Sequence, residues 1–133
     1  MQDRIKFRGL EMERLPSGRC RAKVALQWSD DEVVVGESEG LTSQAGELRC
    51  AAEACVRALA TVLHHEMKLE LLGVKAVRAF DAMVVIVSLA LPGEAEGQRL
   101  VGCFLTDEDP ARGAALAVLN ATNRRLGNRL QRL

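Results

Sequence analysis

The order strand, strand, strand, helix occurs twice along this chain, and that repetition constrains the fold more than any single motif. At an offset of 63 residues, Ala51-Ala52-Glu53-Ala54-Cys55-Val56-Arg57-Ala58 lies over Ala114-Ala115-Leu116-Ala117-Val118-Leu119-Asn120-Ala121. The same offset puts Val24 and Leu26 on Val87 and Leu89, and an offset of 64 puts Gly9 and Arg14 on Gly73 and Arg78. Alanine-rich helices match easily by composition, so the shared order of elements carries the argument. We expect an α+β fold of two pseudo-symmetric βββα units, with helices packed on one face of the sheets. The units span about 5–65 and 68–127 of one module covering all 133 residues.

The local patterns supply the elements. Ile5 to Leu15 alternates loosely and stops at Pro16-Ser17-Gly18, a turn signal. Cys20 to Trp28 is apolar at even positions and mostly polar at odd ones, which is the period of a half-buried strand. Glu32 to Gly36 reads as a short Val-rich strand, followed by a Gly-flanked loop, Gly36-Glu37-Ser38-Glu39-Gly40. A helix from about Ser43 to His65 carries Leu48, Ala52, Cys55, Leu59, Val62 and Leu63 on one stripe. In the second half, Lys68 to Phe80, Ala82 to Leu91 and Gln98 to Leu105 read as strands, the middle one as buried. Asp109 before Pro110 starts the last helix, and Gly127 is expected to end or kink it.

Composition removes several classes of function. Apolar residues make 48% of the chain and charged ones 27%, which excludes a disordered segment. Eighteen basic and eighteen acidic residues cancel, so no global field steers the protein to nucleic acid or to anionic lipid. Trp28 and three phenylalanines are the whole aromatic complement, too few for a base-stacking platform. The junction before the first helix has a faint likeness to double-stranded-RNA-binding domains, but acids surround Thr42-Ser43-Gln44 where phosphate contacts would need bases. No N-terminal run reads as a signal, and Ala82–Leu91 is about half of a membrane span. A cytoplasmic protein without a membrane or nucleic-acid partner is expected.

Chemistry-bearing residues are sparse. His64 and His65 are adjacent and so point about 100° apart on a helix, which suits dipole-complementing ends rather than one shared ion. Asp107-Glu108-Asp109 complements a helix start, and Asp30-Asp31-Glu32 suits a solvated turn. Cys50 and Cys55 fall in an apolar helical stretch, and Cys20 and Cys103 in strands; none forms a metal-binding pair or a motif with histidine. The sequence therefore implies no enzyme, no metal and no cofactor. Arg124, Arg125, Arg129 and Arg132 make a basic end that suits the solvated face of a terminal helix.

The βββα–βββα layout, the Gly-containing loop before the first helix, and Thr106-Asp107 leading to Val118-Leu119-Asn120-Ala121-Thr122-Asn123-Arg124 resemble one known domain. It is the C-terminal regulatory domain of 2-isopropylmalate synthase, leucine-binding and dimerising, shared in part by citramalate and homocitrate synthases. The resemblance covers about residues 5–127. It implies a homodimer and a small-molecule effector held against the loop Gly36, Ser38, Glu39, Gly40 and Thr42 and its counterpart Gly102, Thr106 and Asp107. Glycine lets backbone N–H groups approach a ligand, and helix starts favour a carboxylate. Glu37 and Glu39, which depart from the family loop, instead suit a cationic or amine group.

The function expected is a non-catalytic dimerisation and sensing module for an amino acid or related metabolite, passing its signal to an unknown partner protein. A structural or assembly protein that keeps the fold without the pocket is the alternative.

Overall fold

The computed structural model describes residues 5–28, 32–63, 68–91 and 98–132, with side chains described to Asn123. Among these residues are six strands and two α-helices in the order β1 (Lys6–Leu15), β2 (Arg19–Gln27), β3 (Val33–Leu41), α1 (Gln44–Val62), β4 (Glu70–Ala79), β5 (Ala82–Leu91), β6 (Gln98–Thr106) and α2 (Pro110–Arg132), with a single 3-10 turn, Pro16–Gly18, between β1 and β2. Strands β1-β2-β3 form one antiparallel sheet and β4-β5-β6 a second. The molecule is thus α+β and built from two βββα units.

The two units match in detail. Each first strand carries an irregularity at the same place, between Phe7 and Gly9 in β1 and between Leu71 and Gly73 in β4. An extra residue there shifts the face on which side chains point, which restores the apolar alternation toward the helices. Cys20, Ala22, Val24 and Leu26 of β2, and Val85, Val87 and Leu89 of β5, are fully buried beneath the helices. Helix α1 lies on β2 and β3 and touches β4; α2 lies on β5 and β6 and touches β1; the helices pack on each other. One hydrophobic core therefore runs through both units.

Glycine decides how close each helix comes. A Cβ built on Gly36 would stand 2.1 Å from the Ala54 carbonyl oxygen and 2.4 Å from the Ala58 nitrogen. On Gly102 it would stand 2.2 Å from the Ala117 oxygen and 2.6 Å from the Ala121 nitrogen. Both strands thus bring bare backbone against bare helix, and the alanines of each helix complete the contact. A side chain then ties each helix to the third strand: Arg57 donates to the Glu37 carbonyl and Asn120 to the Cys103 carbonyl, both at 2.8 Å. These side chains take up carbonyls of the outer strands, a device that blunts a sheet edge.

Three readings need correction. Gly36–Gly40 is not a loop but the body of β3, because its glycines serve the approach of α1 rather than a turn. Helix α2 passes Gly127 and continues to Arg132. Strand β5 is buried on one face only, since Ile86 on the other is 37% exposed. The turn expected at Asp30-Asp31-Glu32, the His64-His65 pair and the Pro92-Gly93 turn lie wholly or largely outside the described residues, as do the side chains of the basic end.

Candidate functional site

Alternation along β3 splits the residues expected to bind a ligand between its two faces. Gly36 and Ser38 are buried under α1, and the Ser38 carbonyl accepts from the Cys50 thiol at 3.1 Å. Glu39 points outward, where its carboxylate accepts from Arg21 at 3.0 Å. Gly40 packs against Cys50, with 3.6 Å from its would-be Cβ to Sγ. Thr42 donates its N–H to the Gly18 carbonyl at 2.8 Å, and its buried hydroxyl oxygen has no hydrogen-bond partner among the described residues.

In the second unit Gly102 is closed over by α2. The Thr106 hydroxyl bonds with both the backbone N–H and the carbonyl of Asp109, while Asp107 is exposed. The eight residues are thus spread over both faces of β3 and over both units, and the openings beside them include one at the edge of β3 and one at the helix starts.

The first opening is a cleft of about 570 Å³ at the edge of β3, lined by Arg21, Glu37, Ser38, Glu39 and Arg57. Its charges are already matched. Arg21 meets Glu39 at 3.0 Å and Glu13 at 3.5 Å, and Lys23 meets Glu37 at 3.7 Å. The hydrogen bond and charge of Glu39 raise the Arg21 pKa above its ordinary value, so this guanidinium stays charged. Side by side across the sheet, Glu13–Arg21–Glu39 and Glu11–Lys23–Glu37 form two rows of acid, base, acid.

The second opening lies where the two helices begin. Ser43 caps α1, its hydroxyl accepting from the Gly46 N–H at 3.0 Å; Asp109 does the same for the Arg112 N–H at 3.1 Å. Between these starts is a crevice of about 280 Å³ lined by Gln44, Glu47 and Leu48 from one unit and Asp109, Pro110 and Ala111 from the other. Its walls carry two carboxyl groups beside a Leu and an Ala. Helix starts favour anions, but Asp109 already spends one carboxyl oxygen on its own cap, and Glu47 adds negative charge. The group best matched to this crevice is an ammonium with an apolar neighbour. The sequence reading stopped two or three residues short of it, at Thr42 and at Thr106-Asp107; the capping pattern was its only signal.

The two thiols of α1 are poor nucleophiles. Cys55 is wholly buried, and burial pushes its pKa well above the ordinary value; burial and then the neighbouring Cys20 raise that of Cys50. Cys103 alone of the four is exposed, and all four are free. Among the described residues no group of three or more His, Cys, Asp or Glu side chains is placed to hold a metal ion, and no helix is long and apolar enough to cross a membrane. Compared with models of known families and with curated proteins, the chain finds no match in either.

Proposed function

We propose that this chain is a non-catalytic dimerisation and sensing module for a small molecule bearing an ammonium group, an amino acid or an amine. The observation that carries this reading is the crevice between the helix starts, because each pseudo-symmetric unit supplies half of its wall. A ligand there binds both units at once and favours whichever relative arrangement of the helices fits it better. The role is the one implied by the resemblance to the regulatory domain of 2-isopropylmalate synthase, with the contacts moved from the strand glycines to the first helical turns.

A thermal-shift series with amino acids, 2-oxo acids and polyamines tests it. At 100 times its dissociation constant a ligand adds about 2.7 kcal/mol, several degrees for a chain of this length. The expected result is a shift by an ammonium compound that Glu47→Gln removes without lowering the unliganded melting temperature. No shift by any ammonium compound would overturn the sensing role. The alternative, an assembly protein without a pocket, draws support from the closure of Gly36 and Gly102 by helix backbone, and would then be preferred.

A further inference from the structure

The outer faces of the two sheets, turned away from the helices, differ where the repeat makes them equivalent. On the first sheet the central rows are Glu11–Lys23–Glu37 and Glu13–Arg21–Glu39. On the second the matching rows are Lys75–Ile86–Cys103 and Val77–Val84–Leu105, with Gly73–Ser88–Val101 beside them. Charge pairs thus cover the centre of one face, flanked by Val35 at 55% and Leu41 at 63% exposure, while the centre of the other is apolar, with Val101 64% and Leu105 61% exposed. In these two central rows the first unit carries ion pairs where the second carries Ile86, Val77, Val84 and Leu105.

We propose that this face of the second sheet is where two copies of the chain associate, sheet on sheet, about a twofold axis running nearly along β5. The inference rests on the dimerising role proposed above and supplies its surface. Three observations select a second copy as the occupant. First, the face is complementary to itself about that axis. The axis lays β4 of one copy over β6 of the other and keeps each row opposite its equal, so Ile86 and Val84 meet their own copies. In the end row, Glu70–Ala90–Arg99, each Glu70 then faces Arg99 of the other copy.

Second, the size approaches what a dimer needs. Three strands of nine or ten residues cover about 14 by 30 Å, so two such faces bury roughly 840 Å². The two hairpin tips add to this, toward the ~1,000 Å² of a specific interface. Third, the hairpin tip beyond the last row holds Phe80 at 99% exposure and φ 52°, followed by Asp81 at φ 64°. A bulky residue in the left-handed region is strained, and a fully solvated ring gains nothing within its own chain. The same axis brings each tip to the end of β6 of the other copy, where an aromatic ring acts as an anchor.

Light scattering across a concentration series is the test. The wild-type chain is expected to reach twice 14.5 kDa in a concentration-dependent way. Leu105→Glu and Val101→Lys, at exposed positions that leave the core intact, should weaken association at least about 30-fold, the effect of a hot-spot residue. Leu41→Glu, equally exposed on the outer face of the first sheet, should leave it unchanged. Phe80→Asn should raise the melting temperature measured under monomeric conditions while weakening the dimer, opposite signs that a purely structural role would not give. Independently of any variant, the alkylation rate of Cys103 in the wild-type chain should fall as concentration rises, because the thiol lies on this face.

A dimer indifferent to Leu105→Glu and Val101→Lys would overturn the surface while leaving the dimerising role standing. A wild-type chain that stays monomeric would overturn both, and leaves the ligand shift through Glu47 as a separate question. A Cys103 alkylation rate independent of concentration would likewise overturn the surface.

Discussion

The guanidinium carbon of Arg112, at the start of α2, lies 5.2 Å from the ring centroid of Phe7 on β1, joining the second unit to the first. Its equivalent in the repeat, Arg49 of α1, donates to the carbonyl of Leu71 on β4 at 3.4 Å, joining the first unit to the second. Phe7 and Leu71 both stand immediately before the bulge of their strand. One helical position therefore makes the crossing contact in each direction, once through a π face and once through a backbone oxygen.

Arg112→Ala should cost about 0.5–1 kcal/mol, the size of an exposed cation–π contact. In a Phe7→Leu background, which keeps the apolar bulk and removes the π face, the same substitution should cost measurably less. Urea unfolding of the four proteins in the cycle measures that coupling. Equal costs in both backgrounds would mean that Arg112 acts through its aliphatic stem alone.

Gly36→Ala and Gly102→Ala should each destabilise the chain by about 3 kcal/mol or more, beyond the usual cost of one added methyl, because the obstacle is helix backbone that has no rotamer to change. Gly9→Ala and Gly73→Ala, where an added Cβ meets nothing within 4 Å, should fall within about 0.5 kcal/mol of wild type. Denaturation midpoints for the four variants test the pairing. A mild effect at Gly36 would show that α1 can lift away from β3.

Stability should fall as pH rises past 9, the ordinary thiol value, because Cys55 and Cys50 are raised above it by burial. The unfolded thiols lose their protons there and the folded ones do not, so the native state binds more protons and loses ground with rising pH. The slope contributed by each is up to about 1.4 kcal/mol per pH unit. The chain has no tyrosine to add its own titration. Cys55→Ala should flatten the curve of unfolding free energy between pH 9 and 10, whatever it costs at pH 7.

Ser43→Ala should cost about 1 kcal/mol by orphaning the Gly46 N–H, and Ser43→Asp should recover most of that. Thermal unfolding of both variants checks the sign, and a Ser43→Asp protein no better than Ser43→Ala would remove the capping role.

The fold was legible because its patterns are local. The period of two in Cys20–Trp28, the apolar stripe of α1 and the acid–proline start of α2 each report a structure that a few neighbouring residues impose. The doubled offset of 63 to 64 held for the strands and helix faces: Gly9 and Gly73 both follow a bulge, and Ala54 and Ala117 both receive a strand glycine. It did not hold for β3 and β6, where Gly36 and Gly102 are 66 apart in the chain yet make the same contact; the resemblance, not the offset, set those two segments as counterparts.

The misreadings share one cause. Glycine next to carboxylates looks like a turn from the chain alone, because a turn needs glycine for local reasons. Gly36 is glycine because residues 18 and 22 places further on lie against it, which only the packed molecule reveals. The run Ala82–Leu91 likewise reads as buried on both sides, although only one side has a helix to cover it.

The amino-acid order by itself determined the order of the elements, their doubling and the inward faces of β2 and α1, since these follow from periodicity and turn chemistry over a dozen residues. Tertiary structure decided the rest: that two helix starts meet in one crevice, that charges on three strands align into rows, and that one sheet keeps an apolar outer face. Those are relations between residues far apart in the chain, and their geometry comes from packing two sheets and two helices around one core.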